Sequence, residues 1–200
     1  MNEKVMQKLS YGLFICTAKD GDKDNGCIIN TVTQVASSPN RISISVNKLN
    51  YTHDMILKTG AFNVSILSEQ ATFETFQHYG FQSGKDVDKM IGIEYQRADN
   101  GIVYIRNQTN AYISGKVIQS IDLGSHTLFI ADVVDGEVFN EEPSVTYAYY
   151  FAHIKPKPKK TSKKGWICTI CGYIYEGEVL PDDFICPICK HPASDFKPIE

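Results

Sequence analysis

Four of the six cysteines fall in the last 33 residues as two pairs, Cys168-Thr169-Ile170-Cys171 and Cys186-Pro187-Ile188-Cys189, with 14 residues between them. A Cys-x-x-Cys step folds as a tight knuckle that aims two sulfurs at one centre, and two facing knuckles supply a tetrahedral four-thiolate site for iron or zinc. Cys168, Cys171, Cys186 and Cys189 are therefore the candidate metal ligands. The 36 residues from 165 to 200 are too few to be stable on apolar burial alone, so metal binding must contribute much of their folding free energy. Two disulfides are the competing use of four cysteines, and a reducing compartment disfavours them.

The residues around the knuckles are informative in themselves. Trp166, Tyr173, Tyr175, Phe184 and Phe196 are spaced to form a small aromatic core under the site, and Gly172 lets the chain turn close to sulfur. The strings Trp166-Ile167-Cys168-Thr169-Ile170-Cys171-Gly172-Tyr173-Ile174-Tyr175 and Pro181-Asp182-Asp183-Phe184-Ile185-Cys186-Pro187-Ile188-Cys189 resemble rubredoxin. The match spans residues 166 to 196 and departs in a short stretch between the knuckles, as in abbreviated versions fused to other redox proteins. The resemblance implies one iron. A one-iron, four-thiolate centre has no open coordination position and moves single electrons. A zinc-ribbon interaction module is the alternative on the same spacing.

What precedes this module must then supply electrons. Charge divides the chain at two places: residues 1 to 154 carry 12 basic and 17 acidic side chains, residues 155 to 164 six lysines and no acid, and residues 165 to 200 two basic and six acidic. The decapeptide KPKPKKTSKK has two prolines and no large apolar side chain, so it reads as a solvated linker, with a nuclear-localisation or anion-binding tag as the alternative. The expected organisation is a domain over 1–154, a linker over 155–164 and the cysteine module over 165–200. No basic face runs through a domain, which excludes a nucleic-acid-binding pattern. No apolar run reaches the ~20 residues of a membrane span, and the N-terminus carries no signal-peptide pattern, so a cytoplasmic location is expected.

Between residues 9 and 154 the hydrophobic period is 2. Arg41–Asn47 alternates strictly and Ala61–Leu67 nearly so; Tyr11–Ala18, Cys27–Ala36, Gly101–Arg106, Ala111–Ile121, Thr127–Val134 and Tyr147–Ile154 are further predicted strands. Two helices interrupt them, Thr52–Thr59 capped by Thr52 and stopped by Gly60, and Glu69–Tyr79 after Ser68. Many strands and few helices predict an antiparallel β-barrel, and with no G-x-G-x-x-G or P-loop a Rossmann domain is not expected. Cys16 and Cys27, inside apolar strands, are expected as buried free thiols.

The stretch Cys27 to Pro39, the run Ser45-Val46-Asn47-Lys48-Leu49-Asn50-Tyr51-Thr52-His53, and Gly124-Ser125-His126-Thr127-Leu128-Phe129-Ile130-Ala131 are similar to the FMN-binding flavin reductase family. That resemblance implies a mainly β fold, an FMN-binding split β-barrel ahead of the small rubredoxin-like iron domain, and a homodimer with FMN near the subunit boundary. It implies cofactor contacts at Asn30, Thr31, Val32, Thr33, Ser45, Val46, Asn47, Lys48, Thr52, His53, Ser83, Gly84, Lys85 and Lys89, and a hydride-donor-positioning role for His126. The residue types suit those roles: a phosphate of about −2 charge needs local donors in an acidic domain, and Lys48, Lys85, Lys89 and a helix start at Thr52 provide them. NAD(P)H delivers two electrons as hydride and iron accepts one, so a flavin between them converts a two-electron donor into a one-electron supply. This domain order resembles fusions that pass NAD(P)H electrons to flavodiiron proteins in anaerobes. The competing function is a flavin or ferric reductase that releases a small reduced product.

Overall fold

The computed structural model describes residues 5, 8–156, 165–170, 172–187 and 191–199. Seven antiparallel strands form the main sheet: β1 (Phe14–Asp20), β2 (Lys23–Ile29), β3 (Val32–Ser37), β4 (Asn40–Asn47), β5 (Ala61–Leu67), β8 (Thr109–Asp122) and β9 (His126–Val138), in the order β2-β1-β5-β8-β9-β4-β3. Between β5 and β8 lie two short paired strands, β6 (Gln96–Arg97) and β7 (Val103–Tyr104). Helix α1 (Tyr51–Thr59) joins β4 to β5, and α2 (Phe73–Gly80) follows β5. The β8–β9 ladder carries two register shifts, at Ser114/Gly115 and Val117/Gln119; such bulges bend a long hairpin so that the sheet curls around its core. The architecture is the mainly β split barrel expected from the sequence.

Two cores explain which strands alternate. Phe14, Cys16 and Ala18 of β1 face the barrel interior with Ile44, Val46, Phe62 and Phe129, while Leu13 and Ile15 face a second core with Phe76, Tyr79 and Tyr150. Covered on both faces, β1 is continuously apolar over its first residues instead of alternating. In β4 the apolar residues Ile42, Ile44 and Val46 are buried and their neighbours half-buried, hence the strict period of 2. Apart from the Tyr79 hydroxyl, which has no partner among the described residues, buried side-chain polar atoms are paired: Asn63 Nδ2 donates to the Ile102 carbonyl at 2.9 Å, and Ser114 Oγ donates to Asn63 Oδ1 at 2.6 Å, tying the segment before β7 to the sheet.

Three local expectations need correction. Tyr147–Ile154 is not a strand; it is α3 (Tyr147–Tyr149) running into a π-helical turn (Tyr150–Ile154). Thr146 caps it, its Oγ1 accepting from Tyr149 N at 3.1 Å, and Tyr150 packs on Phe76 with ring centroids 4.5 Å apart. Capping and packing override the β propensity of the tyrosines. Cys27–Ala36 is broken between β2 and β3. Helix α2 starts at Phe73 rather than Glu69: Ser68 is bridged to Ser144 and the chain makes a turn, Ala71 N donating to the Ser68 carbonyl at 3.0 Å, before Thr72 takes the N-cap position.

The C-terminal module has its own three-stranded sheet, in the order β11 (Ile174–Tyr175), β10 (Trp166–Cys168) and β12 (Phe196–Pro198). Its core holds Cys168, Leu180, Cys186 and Phe196, with Trp166, Tyr173, Tyr175 and Phe184 packed against it, as the aromatic spacing predicted. Residues 157–164 of the predicted linker lie outside the described residues.

Candidate functional site

In the cysteine module, Cys168 and Cys186 are 1% and 0% exposed, although 18 positions apart. Each knuckle is closed by the same backbone bond: Cys168 N donates to the Tyr173 carbonyl and Cys186 N to the His191 carbonyl, both at 2.8 Å and both spanning five residues. Gly172 takes φ +80°, and its N–H reaches back to the Cys168 carbonyl at 2.9 Å. Two equivalent knuckles that bury one thiol each in one core fit a four-thiolate metal centre. Their second members, Cys171 and Cys189, lie outside the described residues.

In the barrel the predicted residues divide into two groups. The first surrounds a cavity of about 350 Å³ and contains Ser83, Gly84 and Lys89. Asn25, Cys27, Asn50 and Tyr51 line it as well, none of which the sequence had assigned to a ligand. Lys89 is buried, and its ammonium donates to the Gly26 and Tyr79 carbonyls at 2.9 Å each, leaving one of three N–H donors for a ligand. Burial pushes its pKa down to about 8, so an anion in the cavity would favour the charged form. Tyr51 opens α1 at the cavity wall, so a helix N-terminus and an ammonium face the same space, a donor set that fits a phosphate.

Thr52 is not the cap: Asn50 holds that position. Thr52 is buried instead, its Oγ1 accepting from Asn25 Nδ2 at 2.9 Å. Burial raises the pKa of both Cys16 and Cys27, which face each other across the β1–β2 ladder as protonated thiols.

The second group lies along β3, β4 and β9. Thr31 Oγ1 donates to the Ser45 carbonyl at 2.8 Å and accepts from Ser45 N at 3.1 Å. Asn47 is directly opposite His126, which opens β9, and Lys48 N donates to the Ser125 carbonyl at 3.0 Å. The Ser125 hydroxyl lies 2.9 Å from His126 Nδ1. Asn30 and Val32 are half-buried, Thr33 is exposed, and Val46 is wholly buried in the barrel core, so Val46 has only its backbone to offer a ligand. Lys48 is turned towards Asp122, 2.6 Å away, rather than towards the cavity.

His53 links the two groups without facing either space. Its Nε2 is 2.8 Å from Thr127 Oγ1 on β9, and its Nδ1 is 2.9 Å from Asp54. Asp54 in turn lies 3.5 Å from the Lys85 ammonium. The His53 hydrogen bond, with Lys85 beside it, holds the Asp54 carboxyl below its ordinary range. Both ring nitrogens thus have protein partners.

Comparison with known proteins follows the same division. Residues 6–157 match the family model described as flavin reductase like domain, and residues 166–197 match rubrerythrin, rubredoxin-like domain. The chain is 34% identical to a high molecular weight rubredoxin of Moorella thermoacetica, covering 100% of each chain. It is 35% identical to a ferric-chelate reductase (NAD(P)H) of Archaeoglobus fulgidus over 81% of this chain and 96% of that one. Among solved structures, the NADH:FAD oxidoreductase SgcE6 of Streptomyces globisporus superposes with a TM-score of 0.64 at 20% identity, covering 72% of this chain and 84% of the other.

Proposed function

Because the chain belongs to the flavin reductase-like family and carries a rubredoxin-like domain at its C-terminal end, we propose that it is an electron-transfer oxidoreductase running from NAD(P)H through FMN to one iron and on to a separate redox protein. The observation that carries this reading is the wall of the barrel cavity. Tyr51, Gly84 and Lys89, whose donors suit an anion, line it together with His191 and Pro192 of the cysteine module. A cofactor cavity bordered by a one-electron carrier suits a chain whose product is an electron rather than a diffusible molecule.

FMN would accept hydride and iron would exchange single electrons; the protein contributes binding, orientation and exclusion of water. In this reading Lys89, the Ser83-Gly84-Lys85 turn and the start of α1 hold the phosphate. Asn30, Thr31, Val32, Thr33, Ser45, Val46, Asn47 and Lys48 border the rest of the cofactor, with Val46 acting through its backbone. His53 sets the distance between β9 and the Lys85 loop through Thr127 and Asp54. His126, half-exposed where β9 leaves the hairpin turn, positions the nicotinamide. Cys168, Cys171, Cys186 and Cys189 hold the iron. The chain is read as a homodimer, which the exposed Ile118, Ile121 and Leu123 at the tip of the β8–β9 hairpin support. The external acceptor is a one-electron redox protein of the flavodiiron class.

The purified chain is expected to contain about one FMN and about one iron. Flavin extraction and metal analysis after expression with ample iron check both. Stoichiometric zinc would replace the relay by an interaction module on a flavin-binding scaffold, and a barrel that retains no flavin would remove its entry point.

A further inference from the structure

The module does not stand clear of the barrel. Lys155 Nζ donates to the Thr169 carbonyl of the first knuckle at 3.0 Å while lying 5.1 Å from the Phe151 ring centroid. Phe81, in the turn after α2, packs against the module core that contains Cys168 and Cys186. A cleft of about 290 Å³ has Phe76, Phe81 and Phe151 on the barrel side and Thr169 and Ile170 on the module side. On the far side of Phe81, His191 and Pro192 border the cavity that holds Lys89, and the His191 carbonyl accepts from Cys186 N.

Both partners are acidic, with 12 basic against 17 acidic side chains before residue 155 and two against six after residue 164. Attraction between net charges therefore does not seat the module. Apolar contact around Phe81 and the Lys155 hydrogen bond do.

From this arrangement, and resting on the relay proposed above, we infer that the seat is the position in which the iron is reduced. The chain's own rubredoxin-like domain docks on the face made by Phe81, Phe151 and Lys155, with His191 and Pro192 against the flavin cavity, and receives electrons in cis through the His191–Cys186 wall. The electron count closes. NAD(P)H gives up two electrons and a proton, the proton goes to solvent, and the electrons cross one at a time. Each takes Fe(III) to Fe(II), which a one-electron acceptor protein reoxidises. Because Thr169, Ile170, His191 and Pro192 lie against the barrel in this seat, loading occurs docked, and the acceptor takes electrons at another face or after the module leaves.

The test uses the full-length holoprotein with Phe151→Asp and Lys155→Ala combined; neither residue borders the flavin cavity. Anaerobic rapid mixing with NAD(P)H should leave flavin reduction unchanged and slow iron reduction by about tenfold or more, because an intramolecular step loses its effective concentration. Wild-type iron reduction should be independent of protein concentration. Hydrogen exchange on the same samples should show residues 80–84 and 169–170 less protected in the variant, and Lys155→Arg should restore both rate and protection. Iron reduction that is equally fast in the variant, or that rises in proportion to protein concentration in the wild type, overturns the inference. So does identical exchange in the two proteins, a result readable even in a sample lacking either cofactor. A chain that binds neither flavin nor iron refutes the proposed function instead, and the two failures are thus distinguishable.

Discussion

Replacing Cys186 with serine is expected to abolish iron binding while leaving the flavin in place. Cys186 is fully buried in a core of four residues, one of them Cys168. A segment of this size folds on its metal, because its apolar burial is too small to offset the conformational entropy of ordering it. The barrel has two cores of its own that include no residue after 154. Iron content should therefore drop from about one per chain to near zero with loss of ferric-thiolate absorption, while bound FMN is unchanged. Trp166 is the only tryptophan and packs against the module core, so its emission reports the module alone. A red-shifted spectrum in Cys186→Ser is the expected sign of unfolding, and retained iron absorption would contradict the ligand assignment.

Gly84→Ala should act on the other cofactor. A β-carbon at Gly84 would lie 2.1 Å from Asn25 Oδ1 and 2.5 Å from its Cγ. Asn25 is 2% exposed and bonded to Thr52, so it cannot swing away without leaving a buried amide or hydroxyl unpaired. That costs about 1–3 kcal/mol, or ~5- to 150-fold in affinity if the loop moves and the cofactor site absorbs the change. Fluorescence titration of the flavin-depleted variant with FMN should show this loss, with iron content unaltered. Unchanged affinity would remove the Ser83–Lys85 turn from the phosphate site.

The legible parts of this protein are those with local causes. The Cys-x-x-Cys steps and their aromatic neighbours lie within one short segment, and Ala61–Leu67 was bounded by its own alternation. Residues whose place depends on distant packing were harder to read. Threonine starts helices well, which points to Thr52 as a cap, but Asn25, 27 positions earlier, draws it into the interior. Nothing local to His53 shows that Thr127, 74 positions later, lies beside its Nε2. Asn25, Asn50 and Tyr51 went unassigned because only the β2–α1 packing brings them to the cavity. The signal for the helical Tyr147–Ile154 was present in Thr146, a capping residue before aromatics at positions 147 and 150.

The order of electron arrival tests the central claim most directly. In anaerobic rapid mixing of the holoprotein with NADH or NADPH, flavin absorption should bleach first and ferric-thiolate absorption should follow at a rate that does not depend on protein concentration. A flavin-depleted sample of the same chain should leave its iron oxidised, since a four-thiolate centre has no open position for a nicotinamide to approach. Iron reduction that precedes flavin bleaching, or that proceeds equally fast without flavin, would contradict the relay.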